Sequence, residues 1–105
     1  MTELAALLGS LADERATADP QALEQHDLGG VVEYLRSGKP FAAASDASAE
    51  FRLRPDVASA AVRTPDVRAS DRGPEWVTFT PPDLDRFAVD RLTAWFEFAW
   101  RHAAD

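Results

Sequence analysis

The feature that most constrains this sequence is the aromatic content of its C-terminal third. Residues 75–103 read EWVTFTPPDLDRFAVDRLTAWFEFAWRHA and hold all three tryptophans and four of the six phenylalanines. At about 100° per residue, one helical stripe gathers seven apolar side chains: Leu84, Phe87, Ala88, Leu92, Trp95, Phe98 and Ala99. Phe96 and Trp100 widen this stripe beyond what one sheet contact requires. The pattern predicts a helix that begins near residues 81–83, lies on a sheet and has a flank that another surface must cover.

Two surfaces are able to cover that flank. One is an N-terminal helix whose leucines follow helical spacing: Leu4, Leu7, Leu8 and Leu11. The other is a partner subunit seated on Phe96 and Trp100, because large exposed aromatic patches commonly mark interfaces. The second alternative predicts a homodimer through the C-terminal helix.

The middle of the chain changes from helical to alternating hydrophobic spacing. Asp19-Pro20 predicts a short second helix over residues 20–25, since proline favours the first helical position. The later elements are predicted as strands over residues 31–36, 39–45 and 49–54, a helix over 55–63, a polar loop over 66–74 and a strand over 75–80. The predicted fold is one α+β domain over residues 1–105. Its four-stranded antiparallel sheet is a three-strand meander plus a fourth strand, in the order α-α-β-β-β-α-β-α, with helices packed mainly on one face.

Composition narrows the class of protein. The chain has 105 residues, a net charge of −7 and no cysteine. The absence of cysteine removes disulfides and thiolate metal ligands, and it fits a reducing compartment. Since no window approaches the roughly 18 uninterrupted apolar residues of a membrane span, we expect a soluble cytoplasmic protein with no membrane contact.

Arginines supply the strongest binding signal. Five of them, together with one tryptophan, lie on the third predicted strand and in the helix, loop and strand that follow: Arg52, Arg54, Arg63, Arg68, Arg72 and Trp76. If they converge on the solvent-facing side of the sheet, they form an anion- or nucleic-acid-binding patch. Alternatively they pair with Glu33, Glu50, Asp56 and Asp66, which is the usual pattern of a solvated surface. The net negative charge disfavours nucleic acid.

No recognisable catalytic or metal site accompanies these arginines. His26 and His102 are the only histidines and lie near opposite ends of the chain. Gly29-Gly30 lacks the spacing and the lysine of a phosphate-binding loop. We therefore predict no catalytic residue, no metal ligand and no cofactor.

Three segments resemble the MmcQ/YjbR family of small cytoplasmic proteins: SGKPFA (residues 37–42), LRPD (53–56) and RGPEWVTF (72–79). Their order and spacing carry the resemblance, which covers about residues 30–103. It implies a double-wing α+β fold of a type suggestive of DNA binding, without an assigned biochemical role.

Together these observations predict a non-enzymatic interaction domain. A nucleic-acid- or anion-binding module is the second hypothesis. A small-molecule-binding protein or enzyme without a recognisable motif is the third.

Overall fold

The computed structural model describes residues 3–20 and 22–104 as three helices and one six-stranded antiparallel sheet. The elements are α1 (Glu3–Ala18), β1 (Leu23–Asp27), β2 (Val32–Arg36), β3 (Lys39–Ala44), β4 (Ala49–Arg52), α2 (Pro55–Ala61), β5 (Val67–Ala69), β6 (Trp76–Phe79) and α3 (Arg86–His102). The strands lie in the order β1-β2-β3-β4-β6-β5. The α+β class is confirmed. The predicted four strands and the order α-α-β-β-β-α-β-α are wrong, because the chain follows α-β-β-β-β-α-β-β-α.

The first error is the second helix predicted over residues 20–25, of which residue 21 lies outside the described ranges. Leu23–Asp27 instead forms β1, which pairs with β2. Gly29 and Gly30 both have positive φ, at 66° and 93°, and the Leu28 amide donates to the Val31 carbonyl at 2.7 Å. Two consecutive residues with positive φ form the hairpin turn whose twist suits paired strands. The chain therefore forms the β1–β2 hairpin instead of the helix that Asp19-Pro20 predicts.

The second error is the polar loop predicted over residues 66–74. Val67–Ala69 forms β5, which pairs with β6 and closes one edge of the sheet. A strand of three residues is too short to show a recognisable alternation. Its pairing partner, which lies later in the chain, is what holds it extended.

Packing of α3 on the sheet forms the core. The Trp95 ring lies 5.3 Å from the Phe79 ring and 6.3 Å from the Phe51 ring, measured between centroids. Phe96 and Trp100 meet Phe41 edge to face at 5.3 and 5.5 Å. The prediction that a sheet lies beneath an aromatic C-terminal helix is confirmed.

The flank of α3 is covered from within the chain. Helix α1 contacts α3 and buries Leu4, Leu8 and Ala12. The Arg36 guanidinium lies 4.1 Å from the centre of the Trp100 ring and donates to the Trp100 carbonyl at 2.8 Å. Phe96 is 2% exposed and Trp100 is 4% exposed. The structure thus places these two residues in the core, where they cannot form the surface of a subunit interface.

Helix α3 is also rotated relative to the stripe read from the sequence. The stripe predicts that Phe87 and Phe98 face inward, but they are 68% and 46% exposed. Ala88, Leu92, Trp95 and Ala99 are buried as predicted. An apolar arc wider than half a turn does not determine which of its side chains face the sheet. Phe41 on β3 contacts Phe96 and Trp100, so the helix is rotated to place these two residues in the core.

The start of α3 differs from the prediction of residues 81–83. Asp85 is the residue before the helix, and its Oδ1 accepts a hydrogen bond from the Ala88 amide at 2.9 Å. A carboxylate at this position satisfies an amide that has no partner inside the helix.

Among the described residues, no helix is long and apolar enough to cross a membrane.

Phe96→Ala and Phe98→Ala test the rotation of α3. Phe96→Ala should lower the free energy of unfolding by about 3 to 5 kcal/mol, because it leaves a cavity in the core. Phe98→Ala, two residues away, should lower it by about 1 kcal/mol or less, because the side chain is half exposed. Urea unfolding followed by circular dichroism measures both, and equal losses would contradict the observed rotation.

Asp85→Ala should lower the free energy of unfolding by about 1 kcal/mol, because the first turn of α3 loses its cap. Asp83→Ala is the matched control, since Asp83 is exposed and precedes the helix. The same unfolding measurement applies. A larger loss for Asp83→Ala would place the helix start where the sequence predicted it.

Candidate functional site: the open face of the sheet

One row of side chains crosses the sheet on its open face, which none of the three described helices covers. Strand register aligns Glu33 on β2 with Ala43 on β3, Glu50 on β4, Thr78 on β6 and Arg68 on β5. Paired residues of antiparallel strands point to the same side. Five strands thus place one row of side chains, polar except for Ala43, on the open face, and His26 on β1 continues this row beside Glu33.

Arg72 connects the two glutamates of this row. Its Nη1 donates to Glu33 Oε2 and its Nε donates to Glu50 Oε1, each at 3.0 Å. Ala43 lies between the two glutamates in the row and is buried. Its methyl group leaves room for the guanidinium to span them, whereas a larger side chain would occupy that space.

Glu50 is the most heavily hydrogen-bonded group of the face. Besides Arg72, it accepts hydrogen bonds from the Ser70 hydroxyl and, at 3.3 Å, from the Thr78 hydroxyl. Burial acts to raise the pKa of Glu50, but the hydrogen bonds from Ser70, Arg72 and Thr78 and the charge of Arg72 outweigh it and lower the pKa. Glu50 is therefore held ionised.

The loop that carries Arg72 is fixed against the sheet. The Arg72 guanidinium lies 5.2 Å from the centre of the Trp76 ring, within reach of a cation–π contact. The Ser70 hydroxyl accepts the Arg72 amide at 3.2 Å, and the Trp76 amide donates to the Gly73 carbonyl at 3.1 Å. A Cβ at Gly73 would lie 3.3 Å from the Trp76 ring. Glycine thus lets the loop approach the tryptophan closely.

These groups border a cavity of about 500 Å³, here called the basin. Its lining consists mainly of residues that form hydrogen bonds: Val31, Ser45, Ser48, Glu50, Arg68, Ala69, Ser70, Asp71, Arg72 and Thr78. Charges of both signs line the basin, and hydroxyl groups separate them. The basin can therefore hydrogen-bond a polar ligand without a strong preference for one sign of charge.

The structure brings together only part of the arginine set read from the sequence. Arg68 and Arg72 line the basin, and Trp76 lies beneath Arg72. Arg54 contacts Asp56 at 3.5 Å, and Arg63 is exposed after the end of α2. The single cationic patch therefore does not form.

Arg52 belongs to a second, smaller cluster. It contacts Glu75 at 3.1 Å, and His102 contacts the other oxygen of Glu75 at 3.0 Å. Burial acts to raise the pKa of Glu75, but the His102 hydrogen bond and the charge of Arg52 outweigh it and lower the pKa. This cluster joins β4 to the last turn of α3.

The alternative of an ion-paired surface holds for Arg54 and Arg72, whose predicted partners Asp56, Glu33 and Glu50 are their observed partners. Sequence reasoning missed Ser70 and Thr78. Ser70 lies in the segment predicted as a polar loop, and Thr78 lies on the predicted fourth strand. Their meeting at Glu50 depends on strand register, which no local pattern reports.

His26 Nε2 lies 3.7 Å from the carboxylate of the neighbouring Glu24. Among residues 3–20 and 22–104, no group of three or more histidine, aspartate or glutamate side chains is arranged to hold a metal ion.

No protein-family model matches the chain, and neither curated proteins nor solved structures give a match. The resemblance to the MmcQ/YjbR family stays a prediction.

The lowered pKa of Glu50 predicts a specific pH dependence. A carboxyl group whose pKa is lower in the folded state stabilises the fold above its unfolded pKa, near 4.5 for glutamate, and loses that contribution as the pH falls through the folded value. Glu50→Gln should lower the free energy of unfolding at pH 7 by about 1 to 3 kcal/mol. The difference from the parent should shrink toward about pH 3.

Glu14→Gln is the matched control, because Glu14 is exposed on α1. It should follow the parent protein at both pH values when urea unfolding is measured. A Glu50→Gln difference that stayed constant or grew on acidification would contradict the role assigned to Glu50.

Proposed function

We propose that the protein is a non-enzymatic cytoplasmic interaction domain that recognises a polar segment of a partner protein in the basin. The observation that carries this proposal is the set of charges fixed on an uncovered sheet face. Glu33, Glu50 and Arg72 hold one another in place, with side chains 16 to 28% exposed. Groups held in one geometry before binding lose little further conformational entropy on binding.

The chemistry of the basin supports binding over catalysis. Ser70 donating to Glu50 is the contact that would pair a nucleophile with a general base. A general base works best when its pKa lies near the working pH, and the pKa of Glu50 is lowered instead. His26 and His102 do not line the basin. Glu50 is thus suited to accept hydrogen bonds and poorly suited to take up a proton.

The mixed charge of the basin supports a protein partner. Arg68 and Arg72 are balanced by Glu50 and Asp71, and four hydroxyl groups lie among them. Protein interfaces likewise combine interspersed charges and hydrogen bonds at a polar surface. Phe96 and Trp100 take no part in this recognition, since both are buried in the core.

Binding of an anion or a nucleic acid is the second candidate, and Arg68 is the observation that favours it. Among the described residues, no ion pair is recorded for Arg68, although it lines the basin beside Arg72. A phosphate group could accept hydrogen bonds from Arg68 and from nearby serines. The net charge of −7 and the two carboxylates that engage Arg72 weigh against a long polyanion.

Arg68→Glu tests the proposal, because it changes the charge of the basin without breaking a recorded ion pair. The purified protein should capture a partner from an extract of its own cells, and Arg68→Glu should reduce that capture about tenfold, as loss of a charge-assisted hydrogen bond does. Quantitative mass spectrometry measures the recovery, and capture should survive nuclease treatment.

Arg63→Glu is the matched control, since Arg63 is an exposed arginine outside the basin. It should capture as much as the parent. Equal recovery with Arg68→Glu, or no partner recovered by any form, contradicts the proposal. Capture that is lost after nuclease treatment contradicts it in favour of the second candidate.

A further inference from the structure

A groove between α2 and α3 lies on the side of the sheet opposite the basin. It consists of two cavities of about 430 and 250 Å³. Both are lined by Val57 and Phe98, so the two cavities adjoin. Their volumes fall near the range of small-molecule sites, about 300 to 1,000 Å³.

The larger cavity is mainly apolar. Val57, Ala60 and Ala61 line it from α2, and Trp95 and Phe98 line it from α3. Thr64 and Asp56, the carboxylate that pairs with Arg54, complete the lining. Trp95 is 8% exposed, whereas Phe98 is 46% exposed and is among the large apolar side chains at the surface. Exposed apolar surface at a concave site favours burial against an apolar ligand.

The smaller cavity has a different chemistry. Arg54, Arg101 and His102 line it together with Val57 and Phe98, and no acidic residue is among its described lining. The ion pairs recorded for the two arginines are both made through Nε, from Arg54 to Asp56 and from Arg101 to Glu97. Each guanidinium has five N–H donors, so the terminal nitrogens retain donors for a ligand.

We propose that this groove binds a small monocarboxylic acid with an unbranched apolar body, such as a medium-chain fatty acid. The carboxylate lies in the smaller cavity and accepts hydrogen bonds from Arg54 and Arg101, since guanidinium groups match carboxylate geometry. The hydrocarbon chain extends past Phe98 and Val57 into the larger cavity, over Trp95. Cationic charge at one end and apolar surface at the other select an amphiphile with one negative end.

Sodium decanoate, below its micellar concentration, is the probe. It should bind the intact chain with a Kd of about 0.1 to 1 mM in isothermal titration calorimetry. Amide resonances of α2 and of the last two turns of α3 should shift in nuclear magnetic resonance spectra. Decanol, which lacks the charge, should bind about tenfold more weakly, and decyltrimethylammonium should not bind at the groove.

Two variants separate the charge from the apolar surface. Arg54→Gln combined with Arg101→Gln should weaken decanoate binding at least about tenfold, with decanol unaffected. Phe98→Ser should weaken both ligands. Arg63→Gln is the matched arginine control, because Arg63 follows α2 but lines neither cavity.

Absence of saturable decanoate binding overturns this proposal. So does equal binding by the double arginine variant, or resonance shifts at Ser70 and Thr78 instead of at the groove. Arg68→Glu should leave decanoate binding unchanged. The experiments can therefore contradict ligand binding in the groove while they support partner binding in the basin, or the reverse.

Discussion

The contact between the aromatic face of α3 and one side of the sheet is the interaction on which the rest of the structure depends. Trp95 packs against Phe51 and Phe79, while Phe96 and Trp100 pack against Phe41. Burial of large aromatic groups is the main favourable term available to a chain without disulfides. Since the helices occupy that side, the other side of the sheet remains open to water and carries polar side chains.

Like charges on an open sheet face must be compensated by side chains near that face. Glu33 and Glu50 are on alternate strands of one row, where two uncompensated carboxylates would repel each other. Arg72 lies across the gap above Ala43 and contacts both. The two contacts that remove this repulsion also neutralise the positive charge of Arg72. A face rich in arginine therefore becomes a mixed hydrogen-bonding surface instead of a cationic one.

The two candidate sites differ in chemistry because they lie on the two sides of the sheet. The basin is polar and borders the open face, where hydroxyl groups and charges of both signs meet. The groove lies among helices, so its lining is mainly apolar, and its basic end arises where α3 ends. Basic residues are favourable in the last turn of a helix, because the carbonyl groups there carry partial negative charge. Arg101 and His102 occupy that turn.

The sequence by itself determined the aromatic C-terminal helix and the strands of the central meander. These features depend on neighbours within a few residues, so local spacing reports them. Only the tertiary structure decided the rotation of α3, the strand character of residues 23–27 and 67–69, and the meeting of Glu33, Glu50 and Arg72. Those features depend on contacts such as that between Arg72 and Glu33, which are 39 residues apart. The register of a strand and the rotation of a helix depend on which surfaces, distant in sequence, pack best against each other. No short segment contains that information.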